Sequence, residues 1–210
     1  MAREPAEPRD VSSLQTGAQV VELRPRAKQD FTSSLGMILF LASWAMMFGA
    51  LLFAYGYLRT RSVVWPPAGM PPLPLAIPTL STAVLLGSSG TFAKAVGAIG
   101  RGRRTAMVRW IAATLALGGT FIGLQLVVWQ KLAAAGLYAS SGQYGSVFYG
   151  LTVFHALHIG FGLVALAWVL VRALLGKYTE HDFVGVRNCA MYWHFMDAVW
   201  LLMFVSIYLL

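Results

Sequence analysis

The sequence predicts an all-α membrane protein that crosses the bilayer five times. Apolar residues make up 58% of the 210 residues and charged residues only 11%, whereas soluble domains average about 25% charged residues. The apolar residues form long uncharged runs. At about 1.5 Å per helical residue, each run is long enough to cross a hydrocarbon core of about 30 Å. Asp197 is the one acidic residue inside such a run.

The first thirty residues differ in composition from the rest of the chain. They are polar, carry both charge signs and contain several prolines, which is typical of segments that do not fold alone. We expect residues 1–30 to form a flexible cytoplasmic tail and residues 31–210 to form the transmembrane domain. The first span is predicted over residues 31–58. The proline-rich connection from Trp65 to Pro74 then cannot be helical, and Trp65 is expected at headgroup level.

The second and third spans are predicted over residues 74–99 and 107–131. Each contains small residues, which permit the close approach of a neighbouring membrane helix. These residues are Gly87-Ser88-Ser89-Gly90 in the second span and Gly119 to Gly123 in the third. The third span also carries one amide, Gln125.

The last two spans are separated from the third by a polar turn. Residues 132–171 contain no formal charge over 40 positions, which is too long for one crossing, and the polar stretch 138–146 supplies the turn. The fourth span is predicted over residues 147–175 and includes His155 and His158. The fifth, over residues 188–210, places His194 and Asp197 on one helix face because they are three residues apart.

The basic residues predict the orientation. Five crossings place the termini on opposite sides, and 13 of the 16 Lys and Arg residues fall on the side of the N-terminus. The positive-inside rule then predicts a cytoplasmic N-terminus and a periplasmic C-terminus. The same rule explains the net charge of +8, so no nucleic-acid partner is expected. The single cysteine, Cys189, excludes an internal disulfide and a multi-cysteine metal site.

Polar residues inside the spans predict an interhelical polar seam. His158 and Asp197 fall at similar depths in the last two helices, and an unpaired polar group in an apolar setting costs a few kcal/mol. We therefore expect Asp197 or His194 to hydrogen-bond to His158. The predicted seam consists of His155, His158, His194, Asp197 and Gln125.

Three other interpretations of these residues remain open. His155, His158 and His194 are a conceivable metal or haem site, although a single acid is available to support one. Intramembrane ionisable groups also mark proton relays and lipid-headgroup sites. We favour satisfied interhelical histidines, with no metal and no catalytic residue on this chain. Candidate phospholipid contacts are Arg187, His181, Trp193 and Trp200.

The C-terminal motif resembles a known family. Tyr192-Trp193-His194-Phe195-Met196-Asp197-Ala198-Val199-Trp200 is similar to the last helix of subunit III of the haem-copper oxygen reductases, the cytochrome c oxidase subunit III family. Further similarities follow in the same order along residues 31–210, in a five-helix bacterial form. They are Trp65-Pro66-Pro67, Thr79-Leu80-Ser81-Thr82, Gln125, Tyr144-Gly145-Ser146-Val147-Phe148 and Phe154-His155-Ala156-Leu157-His158.

The resemblance implies a non-catalytic subunit of a respiratory terminal oxidase in the bacterial inner membrane. Such a complex reduces oxygen to water and translocates protons. The haem and copper lie in partner subunits, and this chain binds no cofactor. Subunit I is the main implied partner, with subunit II in the same complex and phospholipid bound to this chain.

The sequence departs from the family at three positions. Trp44 follows Ser43 where the family commonly has a buried glutamate, so a role of that glutamate does not transfer. Val128 and Arg187 stand where acids are common, and Arg187 is more typical of quinol-oxidising members. The alternatives are subunit III of a quinol oxidase, which the residue at position 187 favours, and the related accessory subunit of nitric oxide reductase. A small proton-coupled transporter and a free-standing b-type cytochrome come from other functional classes.

Overall fold

The computed structural model describes residues 25–67 and 69–210. Within them the chain forms five α-helices and no β-strand, which confirms the predicted fold class. All five helices are long and apolar enough to cross a membrane. A π-helical turn, Val205–Leu209, extends the last helix. The helices are α1 (Pro25–Arg61), α2 (Ala76–Ile99), α3 (Arg104–Ala134), α4 (Gln143–Leu174) and α5 (Val184–Phe204).

Four of the helices begin or end beyond the predicted spans, because polar residues at the membrane boundary remain helical. α1 already begins at Pro25, inside the predicted tail, whose residues 1–24 lie outside the described part of the chain. α5 begins at Val184 and therefore includes Arg187. Trp65 lies at the opposite end of the bundle, and its expected headgroup depth stays a prediction. It packs edge-on against Tyr55 and Tyr144, with ring centroids 5.8 and 5.1 Å away.

Two short connections build one end of the bundle, which we call the basic end. α2 turns into α3 through Gly102, whose φ of 70° favours glycine. Gly176 follows the end of α4 and is also in the left-handed region, with φ 75°. Arg104 joins the two connections by donating to the carbonyls of Ala173 (3.1 Å) and Leu174 (2.7 Å) in the last turn of α4.

α5 lies at the centre of the bundle and packs against α1, α2 and α4. α2 and α3 form a closely packed hairpin, and α3 continues onto α4. α1 lies against α5 and α4 and makes no extended contact with α2. Only 6% of the residues in its most apolar stretch are buried, so most of α1 faces outward.

Trp193 occupies the tightest contact of the core. A Cβ atom built on Gly118 of α3 would lie 2.6 Å from the Trp193 ring, and one on Gly162 of α4 would lie 3.2 Å from it. The indole ring therefore fits against α3 because position 118 is glycine, and it also packs tightly against Gly162 of α4. Its Nε1 donates to the Ser88 hydroxyl of α2 at 3.0 Å. A single side chain of α5 thus contacts three helices.

The glycines singled out in the sequence do not serve as packing sites within this chain. Gly87 and Gly90 on α2, and Gly119 and Gly123 on α3, are exposed. A Cβ atom at any of the four would meet no neighbouring atom within 4 Å. These four glycines therefore face out of the bundle, and the expected close approach of a neighbouring helix at them stays a prediction.

Candidate functional site

The predicted polar residues lie in the interior of the bundle, with one at its edge. His155, His158, Gln125 and Asp197 are at most 4% exposed, and His194 is half-buried. They come from α3, α4 and α5, and α2 adds hydroxyl groups to the set.

His158 is held within its own helix and not by α5. Its Nδ1 donates to the carbonyl of Phe154, one turn earlier, and the ring of Trp44 meets it edge-on at 3.9 Å between centroids. The expected hydrogen bond from Asp197 or His194 is therefore wrong. The contact between the two helices at this point is instead the Tyr192 hydroxyl, which donates to the backbone carbonyl of His158 at 2.8 Å.

His194 turns toward α2. The Ser89 hydroxyl hydrogen-bonds Nδ1 of His194, and it also lies next to the carboxyl group of Asp197. Ser89 of α2 is thus a neighbour of both Asp197 and the half-buried His194. Among the described residues, neither Asp197 oxygen has a hydrogen bond of ordinary geometry.

His155 lies in an aromatic box. Its ring centroid is 5.1 Å from Trp200, 6.0 Å from Phe121 and 6.2 Å from Phe48. Neither ring nitrogen has a hydrogen-bond partner among the described residues. The His155 ring therefore packs as one member of an aromatic cluster.

The three histidines do not form a common ligand set. The Nδ1 of His158 is engaged with a backbone carbonyl, that of His194 with Ser89, and His155 faces aromatic rings. In the part of the chain that the structure describes, no three His, Cys, Asp or Glu side chains are grouped to hold a metal ion.

A groove of about 410 Å³ runs between α1, α4 and α5. Trp44 lies along its wall, and Arg172, Tyr178 and Asn188 lie toward the basic end. The Arg172 guanidinium sits 5.3 Å from the centre of the Tyr178 ring. Burial raises the pKa of the Tyr178 hydroxyl, which therefore stays protonated at neutral pH. Apolar side chains form the remaining wall: Met37, Phe40, Phe161, Ala165, Trp168, Val169, Cys189 and Tyr192.

The four candidate lipid contacts separate into two groups. Arg187 is exposed and donates to the Ser34 hydroxyl of α1 at 3.0 Å, and His181 is exposed beside Glu180, 3.3 Å away. Trp193 and Trp200 are 0% and 1% exposed. They cannot reach lipid, and this part of the prediction is corrected.

Sequence reasoning missed the hydroxyl groups of α2. Trp200 donates to Thr82 at 2.9 Å, as Trp193 does to Ser88. The two tryptophans are seven residues apart and the two hydroxyls six, on helices that run in opposite directions. This matched spacing in the sequence could have indicated the two pairs, because a buried indole N–H usually finds a hydrogen-bond acceptor.

Comparison with known proteins identifies the family. The family model described as cytochrome c oxidase subunit III matches residues 26–210. The chain belongs to the cytochrome c oxidase subunit III family. This match covers all five helices, and it confirms the resemblance seen in the sequence.

Curated relatives agree with the family match. The cytochrome c oxidase subunit 3 of Synechocystis sp. is 35% identical over 176 residues, 83% of this chain and 74% of the relative. Those of Branchiostoma floridae and Sus scrofa are 39% and 37% identical over 179 residues, in each case 82% of this chain and 67% of the relative. The chain is accordingly a multi-pass membrane protein and a subunit III of the haem-copper oxidase family.

Proposed function

We propose that this chain is the non-catalytic subunit III of a respiratory cytochrome c oxidase and packs mainly on subunit I, with subunit II in the same complex. The complex reduces oxygen to water and translocates protons. The observation that carries the proposal is the family match over residues 26–210, which includes the whole bundle. The bundle supplies buried packing groups, and its outward-facing helices are suited to assembly in the membrane.

The redox chemistry is assigned to the partner subunits, where haem and copper would be bound. The histidines of this chain do not suit either group. A copper site or a bis-histidine haem needs imidazole nitrogens that converge on one point, whereas His155, His158 and His194 each face a different neighbour. The polar interior then serves to orient the helices.

The membrane and the orientation are part of the same proposal. The basic end carries most of the Lys and Arg residues, including Arg101, Arg103 and Arg104, and the positive-inside rule assigns that end to the cytoplasm. We assign the chain to a bacterial cytoplasmic membrane, with the N-terminus inside and the C-terminus in the periplasm.

The groove between α1, α4 and α5 is the proposed phospholipid site. Most of the side chains that line the groove are apolar, which suits an acyl chain. Toward the basic end of the bundle, the groove offers the guanidinium of Arg172 and the protonated hydroxyl of Tyr178. Such a pair favours a phosphate group at headgroup depth. Trp44, in place of the family's glutamate, keeps the middle of the groove uncharged.

Removal of this subunit from the purified complex tests the non-catalytic role. We expect the haem absorbance and the initial rate of oxygen reduction to stay with the remaining subunits, and the released chain to show no visible absorbance. A released chain that carries a haem spectrum would contradict the assignment.

A further inference from the structure

A hydrogen-bond donor and an acceptor lie side by side at the groove between α1, α4 and α5. The donor is Nε1–H of Trp44, and the acceptor is Nε2 of His158. Both nitrogens are buried, and neither has a hydrogen-bond partner among the described residues. The two rings meet edge-on with their centroids 3.9 Å apart. We call these two nitrogens the Trp44–His158 pair.

The carbonyl of Phe154 determines which nitrogen of His158 is left to accept. A carbonyl oxygen only accepts hydrogen bonds, so Nδ1 carries the proton that it donates to Phe154. Nε2 of a singly protonated ring is then an acceptor, whereas Nε1 of Trp44 can only donate. The pair is therefore complementary, although the two nitrogens do not hydrogen-bond to each other.

The pair lies near the middle of the membrane. Trp44 is close to the midpoint of the membrane-spanning part of α1, and His158 is close to the midpoint of α4. The hydrocarbon core around the bundle holds no water to satisfy polar groups. Each nitrogen is therefore left in an unfavourable state unless a bound group supplies its hydrogen bond.

The groove gives a ligand access to the pair. It has a volume of about 410 Å³, and Trp44 and Phe161 both line it. The His158 ring lies behind these two side chains, since its centroid is also 6.3 Å from that of Phe161. Arg172 and Asn188 line the groove toward the basic end, which offers a polar entrance. Because three helices of this chain form its walls, the groove suits a small or slender ligand.

We propose that the Trp44–His158 pair binds one hydroxyl group, which belongs to a water molecule or to an amphiphile in the groove. The hydroxyl oxygen accepts from Nε1–H of Trp44, and its O–H donates to Nε2 of His158. At about 3 Å per hydrogen bond, one oxygen atom can bridge two nitrogens on rings that are in contact.

Other groups of a membrane ligand do not fit this pair. An alkyl chain offers no hydrogen bond, and a carbonyl oxygen cannot donate to Nε2. An ionised phosphate is unfavourable at this depth. The site is therefore distinct from the phosphate position proposed beside Arg172, and it does not require a phospholipid headgroup to be bound there.

His155, about one turn away on α4, provides a matched control. It too is buried, and neither of its ring nitrogens has a hydrogen-bond partner among the described residues. The indole beside it, that of Trp200, already donates to Thr82, and His155 is not among the residues that line the groove. His155 thus lacks both the free donor and the access, and we expect no ligand beside it.

High-resolution electron cryomicroscopy of the purified complex tests the site directly. We expect density for one oxygen atom about 3 Å from both nitrogens of the pair, and none beside His155. Isolated density identifies water. Density that continues along the groove identifies an amphiphile, which should then be extracted from the complex in about equal amount with the chain.

Ultraviolet resonance Raman spectroscopy of the same complex tests the hydrogen bond of Trp44. Subtracting the spectrum of a Trp44→Phe variant isolates this indole, and its N–H band reports whether it donates. We expect a hydrogen-bonded indole in the wild type, and loss of that signal in His158→Phe. His155→Phe should keep it. Arg172→Gln, which alters the proposed phospholipid site, should keep it too, so the two proposals can fail separately.

Several results would overturn the inference. A Trp44 indole without a hydrogen bond in the wild type is one, and a direct hydrogen bond from Nε1 to Nε2 of His158 is another. Density from a side chain of another subunit between the two nitrogens would also contradict a bound hydroxyl ligand. Equal loss of the signal in His155→Phe, or loss in Arg172→Gln, would show that the signal does not report a ligand held by the pair.

Discussion

Trp193 shows at the scale of one residue how this bundle is held together. In a membrane the hydrophobic effect does not drive helices together, so close packing and hydrogen bonds carry the association. The indole ring uses both, since it fits against Gly118 and Gly162 and donates to Ser88.

Gly118→Ala should destabilise the chain strongly. The added methyl group would lie 2.6 Å from the Trp193 ring and 2.8 Å from Leu163, and overpacking of this kind typically costs about 1–3 kcal/mol. Gly119→Ala, one residue along and open to the outside, should have little effect. Thermal unfolding of the two variants in detergent measures the difference, and equal melting temperatures would argue against this packing.

His155→Phe should leave stability unchanged or raise it. The imidazole makes no hydrogen bond among the described residues and lies among aromatic rings, so an apolar ring of similar size removes an unsatisfied polar group. Ser88→Ala is the contrasting variant, because it leaves the buried indole N–H of Trp193 without its acceptor. We expect this to lower the free energy of unfolding by about 1–3 kcal/mol. The same thermal assay compares them. A large loss of stability in His155→Phe would show that the imidazole makes a stabilising polar interaction.

The hydrogen-bond partners of individual residues were the feature least predictable from the sequence. The burial expected of His158 and Asp197 agrees with their exposures of 3% and 4%. The partner predicted for His194 was on the wrong helix, because a sequence gives depth along a helix but not its rotation. Rotation depends here on the two glycines that accept Trp193, and these follow only from the packed structure.

At the scale of the elements, the five spans were predictable because hydropathy and length nearly determine them. Their ends were less so, since helices continue into the boundary region beyond the apolar run. The attachment of α1 was not predictable at all. At the basic end it depends on polar contacts with α5, in which Asn188 donates to Ser33 at 2.9 Å and Arg187 to Ser34 at 3.0 Å.

Arg172→Gln should reduce the anionic phospholipid that copurifies with the chain. The substitution removes the guanidinium at the basic end of the groove between α1, α4 and α5 while leaving its apolar walls intact. Native mass spectrometry or lipid extraction measures the bound lipid, and we expect a loss of severalfold. Arg109→Gln is the control, because Arg109 lies on α3 outside this groove. Equal loss in both variants would indicate general charge attraction and not a site.

At the scale of the whole molecule, the distribution of Lys and Arg predicts one orientation. In intact cells, a membrane-impermeant thiol reagent should label Tyr138→Cys, at the end opposite the basic loops, and should not label Arg103→Cys. Both positions are exposed, and the native Cys189 is 7% exposed, so the parent chain gives a low background. The reverse labelling pattern would contradict a cytoplasmic N-terminus.

The family, too, was recognisable from the sequence, because the C-terminal motif places its aromatic and polar residues in a specific order. The inward or outward position of the small residues was not. Small residues look the same in sequence whether they pack inside the bundle or face a partner, and only the structure shows Gly90 and Gly123 outside and Gly118 inside.

Purification of the tagged chain from its native membrane tests the central claim most directly. Mass spectrometry of the copurifying chains, with a reduced-minus-oxidised spectrum of the same sample, reports the partners and the cofactors together. The account predicts a haem- and copper-bearing catalytic subunit in near-equal amount, with all the absorbance on that subunit. A chain that purifies without such a partner, or that carries the chromophore itself, would contradict it.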